Sequence, residues 1–127
     1  MRRLKAFMLF PRPLLRIAAL AWFLLLIAGS LQPARPRLVR ATHREIHYLA
    51  FGGGALLLFC LAQSRRQETL AAAATLMLGV SIETLQHLLY GNAMEWRDIS
   101  DDGLAILVAF VLYRVAGSWK PASDLTQ

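Results

Sequence analysis

Four apolar blocks alternate with short stretches of charge and proline along the chain. They cover about residues 14–31, 45–62, 69–90 and 102–119. A run of about 20 apolar residues in helical form crosses the hydrocarbon of a bilayer, so each block predicts a spanning helix. The runs are continuous and do not alternate, which argues against the ten-residue strands of an outer-membrane barrel. Pro11 and Pro13 are expected to break regular structure ahead of the first block, and Arg16 to snorkel from its inner end. A loop is expected over residues 32–42, with Pro33, Pro36, Arg35, Arg37 and Arg40. Gly52, Gly53 and Gly54 in the second block, and residues 71–74 (all alanine) in the third, offer small-residue faces for close helix packing. Short turns are expected over 64–68 and 91–100, and the tail after Pro121 is expected to be disordered. A basic start followed by an apolar run also describes a signal peptide. No small-x-small cleavage site precedes Gln32, however, and Pro33 occupies the place of a mature start.

Composition sharpens the choice of solvent. Of 127 residues, 57% are hydrophobic, and the mean hydropathy is +0.45. A soluble domain of this size buries too little of its surface to hide so much apolar material. The net charge of +6 and the pI near 10.5 admit a nucleic-acid partner. The charges lie between apolar blocks and form no face, which suits topology control and anionic lipid instead, so no nucleic-acid partner is expected. With the N-terminus inside, Arg2, Arg3, Lys5, Arg12, Arg16, Arg65, Arg66, Arg114 and Lys120 fall inside. Arg35, Arg37, Arg40, Arg44 and Arg97 fall outside, and this bias predicts both termini inside. Tyr90 and Trp96 then mark the outer interface, and Tyr113 and Trp119 the inner one. The expected fold is an all-α membrane protein: a four-transmembrane-helix bundle, N-in/C-in, in the inner (plasma) membrane. Residues 1–13 form a basic cytoplasmic start, 14–119 the transmembrane domain and 120–127 a cytoplasmic tail. Cys60 is the lone cysteine and lies in an apolar block, where it reads as a small hydrophobe.

On this topology the polar residues collect at the outer ends of helices two, three and four. His47 lies in the first turn of the second span. Glu83, Gln86, His87 and Tyr90 follow at i, i+3, i+4 and i+7, one helical face at the end of the third. Arg97, Asp98, Ser100, Asp101 and Asp102 lie in the outer loop or the start of the fourth. Glu83 is seven residues from Tyr90, about 10 Å deep, so it is expected to face the bundle interior and be paired. Arg97 folding back over the helix ends is the favoured partner, with His47 and His87 next. The cluster reads as a ligand site, with Arg97 for an anion and Glu83 and Gln86 for hydrogen bonds, or as a buried network that sets the register of the helices. His43 and His47 stand four apart in HREIH, yet the zinc-protease motif needs its glutamate directly after the first histidine. No metal, cofactor, activated nucleophile or phosphate loop is expected.

These residues resemble the VanZ-like family of small membrane proteins. The second span opens HREIHYLAF, where His47 and Tyr48 match the family's Asp-Lys-x-x-His-aromatic pattern. Glu83 and Gln86 match its Glu-x-x-Gln, and Arg97, Ser100 and Asp101 or Asp102 fill the places leading into the last span. The likeness covers about residues 14–116. His43 stands in place of the aspartate, Arg44 of the lysine, Ile106 of an asparagine and Ala109 of a glycine. The resemblance implies a role in the bacterial cell envelope linked to glycopeptide (teicoplanin) susceptibility. The ligand-binding residues are expected to be His47, Glu83, Gln86, Arg97, Asp101 and Asp102, with an anionic headgroup or a lipid-linked molecule as ligand. Two alternatives stay open beside it. One is a non-catalytic scaffold that packs on partner membrane helices through its glycine and alanine faces. The other is an enzyme for a lipid-linked substrate with Glu83 as acid or base.

Overall fold

The computed structural model describes residues 10–31 and 40–118, with side chains described from Arg44 onward in the second stretch. Arg2, Arg3, Lys5, Arg35, Arg37, Trp119 and Lys120 lie outside the described residues, as do the side chains of Arg40 and His43.

Among the described residues every regular element is a helix. Helix α1 spans Arg12–Ser30. Helix α2 (Arg40–His47), a π-helical turn (Tyr48–Gly52) and α3 (Gly53–Leu61) follow one another without a break. His47 and Gly53, which flank the π turn, and Gly52 at its end keep right-handed helical dihedrals, so the three segments form one rod. Helices α4 (Arg65–Tyr90) and α5 (Trp96–Ser118) complete four rods among the described residues.

Four boundaries differ from the expectation, the first being that residues 40–42 are not loop: the second rod begins at Arg40, five residues ahead of the predicted start at 45. Pro13 does not precede α1 but sits in its first turn, where the missing N–H is not needed and the fixed φ already suits the helix. Residues 65–68 are the first turn of α4, not a loop. The Ser64 side chain caps the Gln67 N–H, and the Gln67 side chain accepts from the Gln63 N–H, a local substitute for the hydrogen bonds that a helix start lacks. Ser64→Ala is expected to cost about 0.5–2 kcal/mol, read as a lower unfolding midpoint of the purified chain. The last rod begins at Trp96, six residues earlier than predicted, because no helix breaker follows Gly91. Gly91 itself ends α4 at φ 66 and donates its N–H to the His87 carbonyl, a left-handed closure that glycine adopts without a Cβ penalty.

The second rod is central. Its α3 segment packs against α1, α4 and α5. Phe59 and Ala55 of α3 meet Ile106, Ala109 and Tyr113 of α5, with Ala71, Ala72 and Leu76 of α4 against the same core. A second cluster joins Leu26, Phe51, Ile82 and Ala105 from all four rods. The glycine run is used inside the chain. A Cβ on Gly53 would stand 2.8 Å from the Trp22 ring, and one on Gly54 would stand 3.0 Å from Phe23. Trp22 Nε1 also donates to the Ala50 carbonyl in the π turn, 2.8 Å away, and this anchors α1 on the second rod.

Successive rods run antiparallel, so the bundle has two ends. At one end, Gln86 Nε2 of α4 donates to Ser30 O at 2.6 Å, and Tyr90 OH to Leu31 O at 3.3 Å. At the other, Arg114 of α5 meets the buried Glu68 of α4 at 3.4 Å. Large apolar side chains face outward on every rod, among them Leu25 (73% exposed), Leu49 (69%), Leu88 (71%) and Leu107 (57%). Two rods, α1 and α4, are long and apolar enough to cross a membrane. Only 28% of the apolar stretch of α4 is buried, which is unlike the core helix of a globular domain.

Candidate functional site

The end of the bundle where α2 and α5 begin and α4 finishes gathers a buried acidic group around one imidazole. His47, the last residue of α2, lies against the first two turns of α5. Its Nδ1 is 2.8 Å from Asp102 Oδ1, and its Nε2 is 3.6 Å from Asp98 Oδ2. Asp98 and Asp102 reach the same ring because they stand four residues apart on one helix face. The ring stacks on Phe51 at 5.8 Å between centroids. Glu83, 5% exposed, comes in from α4 and accepts the Glu95 backbone N–H at 3.3 Å. It lies close enough to His47 and Asp98 to feel both charges. Two carboxylates therefore hold one imidazole, with Glu83 buried near them, where little water reaches.

Asp102 is the most deeply placed of them, at 1% exposure. Its Oδ1 is satisfied by His47, but its Oδ2 has no hydrogen-bond partner among the described residues. Room for that oxygen comes from Gly79 of α4, where a Cβ would stand 2.5 Å from Oδ2. The glycine is one helical turn below Glu83 on the same face, so α4 supplies both a carboxylate and the gap beside it.

Above this buried group lies a more open polar rim. Asp101 Oδ1 accepts from Arg44 Nη2 at 2.9 Å and from Tyr48 OH at 3.4 Å. Arg44 sits just ahead of the apolar stretch, with its guanidinium 5.8 Å over the Tyr48 ring. The Asp101 hydrogen bond raises its pKa above the ordinary value, so the rim cation stays charged.

The structure brings His47, Glu83 and Asp102 of the expected site together and puts Asp101 on the rim. The other two residues go elsewhere. Gln86 ties down the end of α1 through Ser30 O and does not hydrogen-bond to the imidazole cluster. Arg97 is not the partner of Glu83: it is exposed, and no ion pair or hydrogen bond joins the two. Because α5 already begins at Trp96, Arg97 is held on a helical surface and is not free to fold over the helix ends. His87 points to the Asn92 carbonyl at 2.6 Å, and Ser100 to the carbonyl of Trp96 in its own helix at 2.9 Å. Asp98 is read from the sequence as a member of the polar cluster but not as a ligand-binding residue, and Gly79 is not read as part of it. The i, i+4 spacing of Asp98 and Asp102 carried a signal, but only once residues 96–101 were read as helix. Among the described residues, no three His, Cys, Asp or Glu side chains converge as a metal site.

No protein-family model, curated protein or solved structure matches the chain.

Proposed function

We propose that the chain is a four-span protein of the bacterial cell envelope, anchored in the inner membrane with both termini inside. In this reading it acts by binding a polar group presented at the outer leaflet in the His47–Glu83–Asp98–Asp102 cluster. The observation that carries the proposal is the unpartnered Oδ2 of Asp102. A network that served only to fix helix register would gain by satisfying every buried oxygen, because a buried polar atom without a partner costs free energy. An oxygen held in a glycine-made gap beside two more carboxylates suits a ligand that donates hydrogen bonds or carries positive charge.

Four spans are supported by the rods' dimensions. The second rod and α5 hold 22 and 23 residues, about 33 Å at 1.5 Å per residue, enough for a hydrocarbon core of about 30 Å. Their charges lie toward the ends, where Asp98 and Asp102 of α5 turn onto His47 and Asp101 pairs with Arg44, while Leu49, Leu107 and Leu112 face outward. The order of His47–Tyr48, Glu83–Gln86, Arg97 and Asp101–Asp102 along the chain supports kinship with VanZ-like proteins, and with it a link to glycopeptide susceptibility. The scaffold reading is weaker on one point: Gly53 and Gly54 already hold Trp22 and Phe23 of the same chain.

The test uses Asp102→Asn and Glu83→Gln, which keep shape and remove charge. Each variant is expressed in a strain lacking the native copy, and membrane abundance is scored together with teicoplanin susceptibility. The expected result is normal abundance with the susceptibility of the empty strain. Native susceptibility at normal abundance in both variants removes the site. Collapse of abundance makes the cluster a register device and favours the scaffold.

A further inference from the structure

A groove of about 750 Å³ runs along the outside of the bundle between the second rod and α5. One wall is Leu49, Gly53 and Leu56, and the other is Ala105, Val108 and Leu112. Gly52 and Ala105 make the floor shallow enough to form a channel, since a Cβ at Gly52 would stand 3.3 Å from the Ala105 carbonyl oxygen. The walls are apolar, whereas the mouth is not. It holds Arg44, Glu45 and Tyr48, with Asp101 bonded to Arg44 from across the groove.

We infer that this groove holds one acyl chain of an outer-leaflet zwitterionic phospholipid, with its phosphate on Arg44 and its ammonium group toward Glu45 and Asp101. The inference rests on the membrane-spanning reading above, but not on any function of the His47 cluster. Length selects the occupant. From Arg44 to Leu56 the groove runs about 18 Å at 1.5 Å per residue, close to one leaflet, which is half of a hydrocarbon core of about 30 Å. A spanning helix of a partner or a second copy would need the full thickness. Charge selects the headgroup. The Arg44 side chain is 67% exposed, and its fork has more donors than Asp101 uses, so a phosphate can share it. Glu45 and Asp101 beside the guanidinium offer carboxylates to an ammonium group, which suits a phosphate that carries its own.

The experiment is native mass spectrometry of the full chain released from detergent, after incubation with equal amounts of phosphatidylethanolamine and phosphatidylglycerol. The native chain is expected to keep one phosphatidylethanolamine in preference. Val108→Trp puts an indole into the groove from a half-exposed position and is expected to abolish that retention. Arg44→Gln is expected to weaken it about tenfold, the worth of one charge-assisted hydrogen bond. Leu24→Trp, on an exposed face of α1 away from the groove, is expected to keep it. Equal retention of both lipids, or unchanged retention in Val108→Trp, means bulk boundary lipid only and overturns the proposal. A dimer in the native chain that Val108→Trp dissolves makes the occupant a second copy and overturns it too. The two readings fail separately, because the cluster is scored by drug susceptibility and the groove by retained lipid mass. If the chain stays in solution without detergent, the spanning reading and the lipid fall together.

Discussion

His47→Ala is expected to lower the stability of the folded chain by about 3 kcal/mol, at the lower end of the cost of breaking a buried ion pair by removing one partner. The reason lies with the partner left behind. Asp102 is almost fully buried, its Oδ1 is held by His47, and its Oδ2 already has no partner among the described residues. Without the imidazole, both oxygens of one carboxylate are stranded, and Asp98 loses its neighbour at 3.6 Å. The measurement is the unfolding midpoint of the purified chain in detergent. The size of the loss discriminates between causes, since an ordinary hydrogen bond between helices in a bilayer is worth only about 0.6 kcal/mol. A loss that small would mean the carboxylate finds another partner and the pair is incidental. The double replacement His47→Leu with Asp102→Leu is expected to recover most of the stability, because replacing both members of a buried pair by apolar groups is often neutral. That variant also separates register from function. A stable double variant that leaves susceptibility at the level of the empty strain marks the pair as part of a binding site. Restored susceptibility marks it as a pin between helices.

Gly79→Ala is expected to destabilise by about 1–3 kcal/mol, the usual cost of overpacking, although alanine is the better helix former by about 1 kcal/mol. Sterics win because the added carbon would stand 2.5 Å from Asp102 Oδ2 and 3.2 Å from the Phe51 ring. Neither neighbour is free to retreat: Asp102 is tied to His47, and Phe51 is 3% exposed in the core. Adding Asp102→Ala should relieve the clash, so the two changes are expected to be strongly non-additive, as contacting residues are. Gly103→Ala is the control, since its Cβ would meet only Leu76 at 3.8 Å, an ordinary contact. It should leave the unfolding midpoint unchanged or raise it slightly. Equal effects at Gly79 and Gly103 would show that loss of a helical glycine, and not the gap beside Asp102, sets the cost.

Much of this protein is legible in its sequence. Continuous apolar runs separated by charge and proline can form helices and little else, so the helical class and the rough place of each rod follow from composition along the chain. The gathering of polar groups at one end also follows, because antiparallel rods bring the last turns of one helix beside the first turns of the next. His47, Glu83 and Asp102 were foreseen in this way. Helix ends were harder to read. Residues 96–101 are polar enough to pass for a loop, yet they form the opening turns of α5 once Asp98 and Asp102 turn inward onto His47.

What only the tertiary structure decided is who pairs with whom. Arg97 is adjacent in sequence to a buried aspartate, but one step along a helix turns a side chain by about 100°, which leaves Arg97 outside and Asp98 inside. Gln86 shares a face with Glu83 but lies nearly a full turn higher, level with the end of α1, so it serves the carbonyl of Ser30. Gly79 carries no chemistry of its own. Its part, giving a carboxylate of another helix room against α4, exists only when α4 and α5 are packed together. Sequence pattern reports the preference of each residue for lipid, water or a helix. The partner of a buried charge is set by helix rotation and depth, which depend on how all four rods pack at once.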